Sequence, residues 1–319
     1  MRRVLLGLVA VTTIAASALA QDYPSRPIRM LQGFAPGGNA DAIARLLTDE
    51  MAKGLNQTIT VEAKPGAGGN LASAEVAKAA PDGYTMMVFT TGHVVSAAMY
   101  KQLPFDPIND FAYITTVSEL PFLIVVNPAK SPYKTFAELV TAAKAKPGSL
   151  TVGTAGVGTG QHLATEMLAS MIGTKVVHVP HRGDTGAITV LLSGDIDCIV
   201  APMPALQGHL SAGTLKALAV TSAKPWPGIG GVLPVATVVP GYEMIAWTGV
   251  ATTKGTPKPV VDKLNDELRR VIAIPAVAAK LREYGGEPAS STPEEVTEKV
   301  KTYIARFNKV IDDAGIPRN

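Results

Sequence analysis

From residue 27 onward, short apolar runs alternate with stretches whose apolar residues recur every three to four positions. Twice, a glycine-rich loop joins the run to the stretch that follows it. A strand that hands on to a helix returns to the next strand by a crossover, so this alternation predicts a parallel sheet with helices on both faces. The first unit is a strand over 28–34, the loop Phe34-Ala35-Pro36-Gly37-Gly38-Asn39 and a helix over 40–55. Ile43, Leu46, Leu47, Met51 and Leu55 share one face of that helix. A strand over 58–62, the loop Lys64-Pro65-Gly66-Ala67-Gly68-Gly69, a small-residue helix to 80 and a strand over 84–89 follow.

The pattern restarts at residue 122 with an extended apolar run to 126. Thr135 and Glu138 have the spacing of a capping box. A strand over 150–153 then leads through Gly153-Thr154-Ala155-Gly156-Val157-Gly158-Thr159-Gly160 into a helix with Leu163, Met167, Leu168 and Met171 as its core face. Strands are expected over 176–179, 196–201 and 215–221, with a helix over 188–192. Thr256-Pro257 and Thr292-Pro293 each read as a cap followed by proline at the first helical position. The last helix carries Val296, Val300, Ile304, Phe307 and Ile311 as its core face. The expected class is α/β with two lobes, each a mixed, mostly parallel sheet flanked by helices. Residues 247–252 precede two helices that have no other sheet of their own, so they should return to the first lobe. Lobe 1 is then discontinuous, over 21–121 and 245–319, lobe 2 spans 122–244, and the two crossings form a hinge.

A chain of 319 residues, 47% hydrophobic, buries enough surface to need neither disulfide nor metal. Thirty glycines and 24 prolines spread along it mean tight turns, not collagen or coiled coil. Arg2 and Arg3, the apolar run after them and Ala18-Leu19-Ala20 predict a signal peptide over 1–20 and an exported, soluble product. No cysteine follows the expected cleavage point to take a lipid, and the single Cys198 predicts an inert buried thiol. Net charge is +3, and loss of Arg2 and Arg3 leaves 27 basic against 26 acidic residues. Without a basic run or stripe, nucleic acid is excluded as a partner.

At a strand-to-helix junction the first helical N–H groups lack partners and carry partial positive charge. Glycines let a ligand approach them, and ligands of open α/β sheets lie beyond the carboxyl ends of the strands. The loops 34–41 and 153–160, facing one another, would grip the ends of a small anion; the other reading is that their glycines only make tight turns. Asp41 is expected to cap and order the first loop, leaving the N–H groups of Gly37 and Gly38 for the ligand. Arg182 follows a strand end and either meets a carboxylate bidentately or stays solvated. His93 and His162 either reach the cleft or are satisfied internally, and His178 and His181 face opposite sides of a strand, against a shared metal. Trp226 and Trp247 read as core or hinge packing. There is no nucleophile elbow, P-loop lysine or G-x-G-x-x-G. No metal, no cofactor and no enzymatic activity are expected.

Tyr23-Pro24-Ser25-Arg26-Pro27-Ile28-Arg29, then Phe34-Ala35-Pro36-Gly37-Gly38 with Asp41 and Ala44-Arg45, resemble the opening of the Bug family. These are extracytoplasmic solute-binding proteins of tripartite tricarboxylate transporters. The likeness continues through Ala80-Pro81-Asp82-Gly83-Tyr84-Thr85, Leu103-Pro104-Phe105-Asp106-Pro107, His178-Val179-Pro180 and Pro240-Gly241-Tyr242-Glu243. It implies a two-lobed periplasmic binding protein, type II-like, that closes on a small carboxylate held by loop N–H groups and bridging waters. By this resemblance Phe34, Ala35, Pro36, Gly37, Gly38, Asn39 and Asp41, with Thr90 and Thr91, form the first-lobe site. Thr154, Ala155, Gly156, Gly158, Thr159 and His162 form the second. His181 and Arg182 stand where the family usually has Tyr and Lys, and Gln32-Gly33 replaces a typical Val-Pro; both bear on ligand identity. The implied partners are a small-molecule carboxylate and membrane transporter subunits, with the protein a monomer. Alternatives are a secreted hydrolase of a small carboxylate and a ligand sensor for a signalling partner.

Overall fold

The computed structural model describes residues 23–319, so the expected leader over 1–20 lies outside the described residues. β1 (Ile28–Gln32), β2 (Ile59–Ala63) and β3 (Thr85–Thr90) pair in parallel in the order β2-β1-β3. They are joined through α1 (Asn39–Leu55) and α2 (Asn70–Ala77). α3 (Thr91–Met99) leaves β3 directly and leads to β4 (Phe111–Val126), a strand of 16 residues. β9 (Ile245–Thr253) inserts between β3 and β4, antiparallel to both. This is why the sheet is mixed although the helical crossovers point to parallel strands: β3 and β4 do run the same way, and a strand from far along the chain separates them.

β4 changes partners part-way. Up to Pro121 it pairs with β9; from Phe122 it pairs with β7 (Cys198–Pro202) and, from Leu123, with β8 (Lys216–Val220). β5 (Thr151–Thr154) pairs in parallel with β6 (Val177–Pro180) and β7. Among the described residues the strands form one ten-stranded sheet, β2-β1-β3-β9-β4-β7-β5-β6, with β8 and β10 (Glu287–Pro288) also on β4.

The remaining helices are α4 (Phe136–Ala145), α5 (Gly160–Met171), α6 (Asp184–Ser193), α7 (Met203–Ser211), α8 (Lys258–Ala273), α9 (Pro275–Glu283) and α10 (Pro293–Asp313). Ile43, Leu47 and Met51 of α1 pack with Leu264, Leu268 and Val271 of α8 over Met30, Met86 and Val250. A larger core on the other side joins Phe89, Val95 and Leu163 to Val296, Val300 and Phe307 of α10. Ile188 and Leu191 of α6 and Leu206 of α7 cover Ile199 of β7. Met171 departs from the expected core face of α5 and is exposed. Thr292 caps α10 as expected, in a reciprocal box with Glu295. At α8 the cap is instead Pro257, because the Thr256 hydroxyl donates to the Thr253 carbonyl (2.8 Å).

The chain passes twice between the two ends of the sheet, and the passages meet at Thr221. Its Oγ1 accepts from the Phe122 N–H (2.8 Å) and donates to the Met244 carbonyl (2.7 Å). Its main chain bonds the same two residues, donating to Phe122 O (2.9 Å) and accepting from Met244 N–H (2.8 Å).

Candidate functional site

Five helices start at one place. α1 follows β1 through the first glycine loop, α3 follows β3 directly, α5 follows β5 through the second loop, α6 follows β6 and α7 follows β7 directly. Asn39 and Ala40 of α1, Thr91 and Gly92 of α3, Gly160 and Gln161 of α5, Asp184 of α6 and Pro202 before α7 line one small cavity. Phe34, Thr90, Phe122, Ala155, Ala246, Trp247 and Thr248 complete its wall. Each helix start contributes the positive end of a peptide-dipole array, which favours an anion.

Among the described residues, no Lys, Arg, His or Glu lines this cavity, and Asp184 is its one ionisable wall residue. Asp184 is 6% exposed and accepts from Gln161 Nε2 at 3.0 Å. Burial pushes its carboxyl up to about 6, against the opposing pull of the Asn39 main-chain N–H and the Gln161 amide. Among the described residues it has no salt-bridge partner. Two further buried wall atoms have no hydrogen-bond partner, Asn39 Oδ1 and Trp247 Nε1. The Trp247 main chain is fixed by Thr91, whose Oγ1 accepts from its N–H (2.6 Å) and donates to its carbonyl (3.1 Å).

Hydrogen bonds outside the cavity wall tie the elements before β4 to those after it. Ala35 N–H donates to the Arg182 carbonyl (3.2 Å), Ser96 Oγ to the Gly158 carbonyl (3.2 Å) and the Tyr100 hydroxyl to the Val157 carbonyl (3.3 Å).

In the first loop, two amides are already taken by side chains. Phe34 N–H donates to Gln32 Oε1 (2.8 Å) and Gly37 N–H to Asp41 Oδ2 (3.1 Å). The expectation that Gly37 N–H is kept for a ligand is therefore corrected: Asp41 orders the loop by taking it. Gly37 has φ of 86°, a conformation that demands glycine. In the second loop, Gly156 N–H donates to Thr154 Oγ1 (3.3 Å) and Gly158 N–H to His162 Nδ1 (3.2 Å). Thr159 caps α5 by accepting from His162 N–H (3.2 Å). The His162 ring stacks on His178 at 4.0 Å, and burial with the neighbouring His162 and His181 holds His178 down to about 3.

Of the residues singled out from the sequence, Phe34, Asn39, Thr90, Thr91 and Ala155 line the cavity. Gly156, His181 and Arg182 border an adjoining hollow, with Gly66, Gly68 and Tyr100, that shares Phe34 and Ala155 with the cavity; Arg182 is not in the cavity wall itself. Ala35, Pro36, Gly37, Gly38, Asp41, Thr154, Gly158, Thr159 and His162 line neither. His93 is satisfied internally: it is buried, bonded to Ser73 and to the Tyr113 hydroxyl, and held down to about 4 by desolvation. Gln161, Asp184 and Trp247 were not among the expected site residues. For Asp184 the available signal was a Gly-Asp pair after a strand end, at the start of an apolar helix.

The sequence model of the tripartite tricarboxylate transporter family receptor matches residues 43–316. A UPF0065 protein encoded in the tcbD-tcbE intergenic region of a Pseudomonas sp. is 36% identical, covering 100% of this chain and 96% of its own length. An R. palustris protein solved with adipate superposes with TM-score 0.89 at 32% identity, over 93% of this chain and 99% of that one. MatC from Rhodopseudomonas palustris, solved with bound malate, gives TM-score 0.84 at 30% identity, over 91% and 100%. No described helix is long and apolar enough to cross a membrane. With the α/β fold of periplasmic binding proteins, a family match over most of its length and full-length relatives, this chain belongs to the tripartite tricarboxylate transporter receptor family.

Proposed function

We propose that this receptor captures a small organic carboxylate in the cavity between two lobes and passes it to membrane subunits of a transporter. The observation that carries the reading is the convergence of five helix starts on one small cavity with no lysine or arginine in its wall. An anion there is held by main-chain dipoles in a desolvated space, where such interactions are strong. The solved relatives with adipate and with malate support the ligand class. The ligand's carboxylate is assigned to the first turns of α3 and α5, beside Trp247 Nε1.

The lobes are 21–121 with 245–319, and 122–244, joined where β4 exchanges β9 for β7 and where the chain runs from Met244 into β9. Closure brings Asn39 and Thr91 from one lobe against Gln161 and Asp184 from the other, so ligand binding selects the closed form. Phe34, Asn39, Thr90, Thr91 and Ala155 belong to the binding wall, and the other loop residues act by holding that wall in place. On this reading the ligand leaves unchanged. The leader over 1–20 directs the chain to the periplasm.

A thermal-shift screen over mono- and dicarboxylates, hydroxy acids, amino acids and aromatic acids tests the reading. A ligand at 100 times its Kd adds about 2.7 kcal/mol and is recovered intact after long incubation. Absence of stabilisation by every carboxylate contradicts the receptor, and turnover of the stabilising acid contradicts passive binding.

A further inference from the structure

We propose that Asp184 makes this receptor select a carboxylate that also carries a protonated nitrogen, with the Asp184 carboxylate and Asn39 Oδ1 receiving that nitrogen. The inference rests on the receptor reading above and names the ligand class for the same cavity.

An ionised carboxylate has about four lone-pair sites. Gln161 Nε2 occupies one on Asp184 Oδ1, and the Asn39 main-chain N–H lies close to the group. No cation among the described residues pairs with it. Asp184 is nonetheless 6% exposed, and the cavity it faces has no other ionisable wall residue. An isolated buried carboxylate is costly unless something pairs with it. Asn39 Oδ1, in the same wall on a residue 8% exposed, is a buried acceptor without a donor. The lone pairs left on the Asp184 carboxylate and the unpartnered Asn39 Oδ1 together match an ammonium group, which offers three N–H donors and one positive charge. Trp247 Nε1 is the complementary orphan, a buried donor on a fully enclosed residue, and it suits a ligand oxygen. The wall therefore asks for acceptor and donor groups in one small molecule.

A plain dicarboxylate fits this wall poorly. Its second carboxylate would bring like charge against Asp184, which disfavours ionisation of both. The selectivity thus has a repulsive part and an attractive part, both supplied by one side chain.

Calorimetric titration of the exported chain with matched pairs tests this: succinate and aspartate, glutarate and glutamate, adipate and 6-aminohexanoate. In at least one pair the amino-bearing acid should bind about 30-fold tighter than its plain partner, the scale of a buried charge pair against its loss. Asp184→Asn, which keeps the side-chain shape, should erase that preference and tighten the plain diacids, with folding checked by circular dichroism. If plain diacids bind the unaltered protein as well as or better than their amino partners in every pair, the role of Asp184 is overturned while the receptor reading stands. The same holds if Asp184→Asn folds and keeps the preference. If neither protein binds any of the six, the inference fails, and the receptor reading stands or falls on the wider thermal-shift screen.

Discussion

Thr221 is fully buried, and its hydroxyl satisfies a donor on one passage between the sheet ends and an acceptor on the other. Thr221→Val keeps the shape but strands the Phe122 N–H and the Met244 carbonyl. Leaving buried polar groups unpaired costs on the order of 1–3 kcal/mol each. Chemical denaturation should therefore show a loss of roughly 2 kcal/mol or more, with Thr221→Ser restoring most of it. A second prediction concerns pH. Burial holds His93 down to about 4 from 6.5, so between those values the unfolded chain binds the proton and the folded chain does not. Stability falls as pH is lowered through that window, by about 3 kcal/mol at pH 4 for this one group. His178, held down to about 3, acts in the same direction. Asp184, raised to about 6 from 3.8, acts in the opposite one, since the folded chain holds the extra proton between those values. Unfolding titrations from pH 7 to 4 should accordingly show a shallower loss for His93→Gln and a steeper loss for Asp184→Asn. Unchanged slopes would contradict these assignments.

At the scale of elements, what could be read from the sequence depended on whether one face of an element meets water. α1 and α10 show their core faces because the opposite faces are solvated, and Ile43, Leu47, Val296 and Phe307 are buried as the spacing requires. α3 escaped because it has no wet face: of its nine residues only Ala97 is not buried, so no period is visible. α9 escaped because Pro275 follows α8 at once, and Ile274 turns extended between them. The first part of β4 was hidden by its Thr and Ser residues, which are buried yet satisfied; Thr115 and Thr116, for example, bond to Ser291. The same limit governs the site. Glycine-rich loops announce themselves by composition, and both do lie at strand-to-helix junctions. Their amides, however, are taken by Gln32, Asp41, Thr154 and His162, partners that composition cannot assign. Asp184 reads as an ordinary helix-start acid until the fold closes Phe34, Gln161 and Trp247 around its surroundings.

For the whole molecule, the cavity owes its position to topology. Helix starts gather at the carboxyl ends of strands, and they gather from both ends of the sheet because β4 belongs to both. Bonds from Ala35, Ser96 and Tyr100 join the elements before β4 to those after it, so the lobe opening proposed above requires these to break. The most direct test is a crystal structure of the protein with the carboxylate that stabilises it most. The account predicts that ligand density fills the space bounded by Asn39, Thr91, Gln161, Asp184 and Trp247, with a carboxylate at the first turns of α3 and α5. Density seated instead in the hollow beside Arg182, or on the outer surface with this cavity empty, would contradict it.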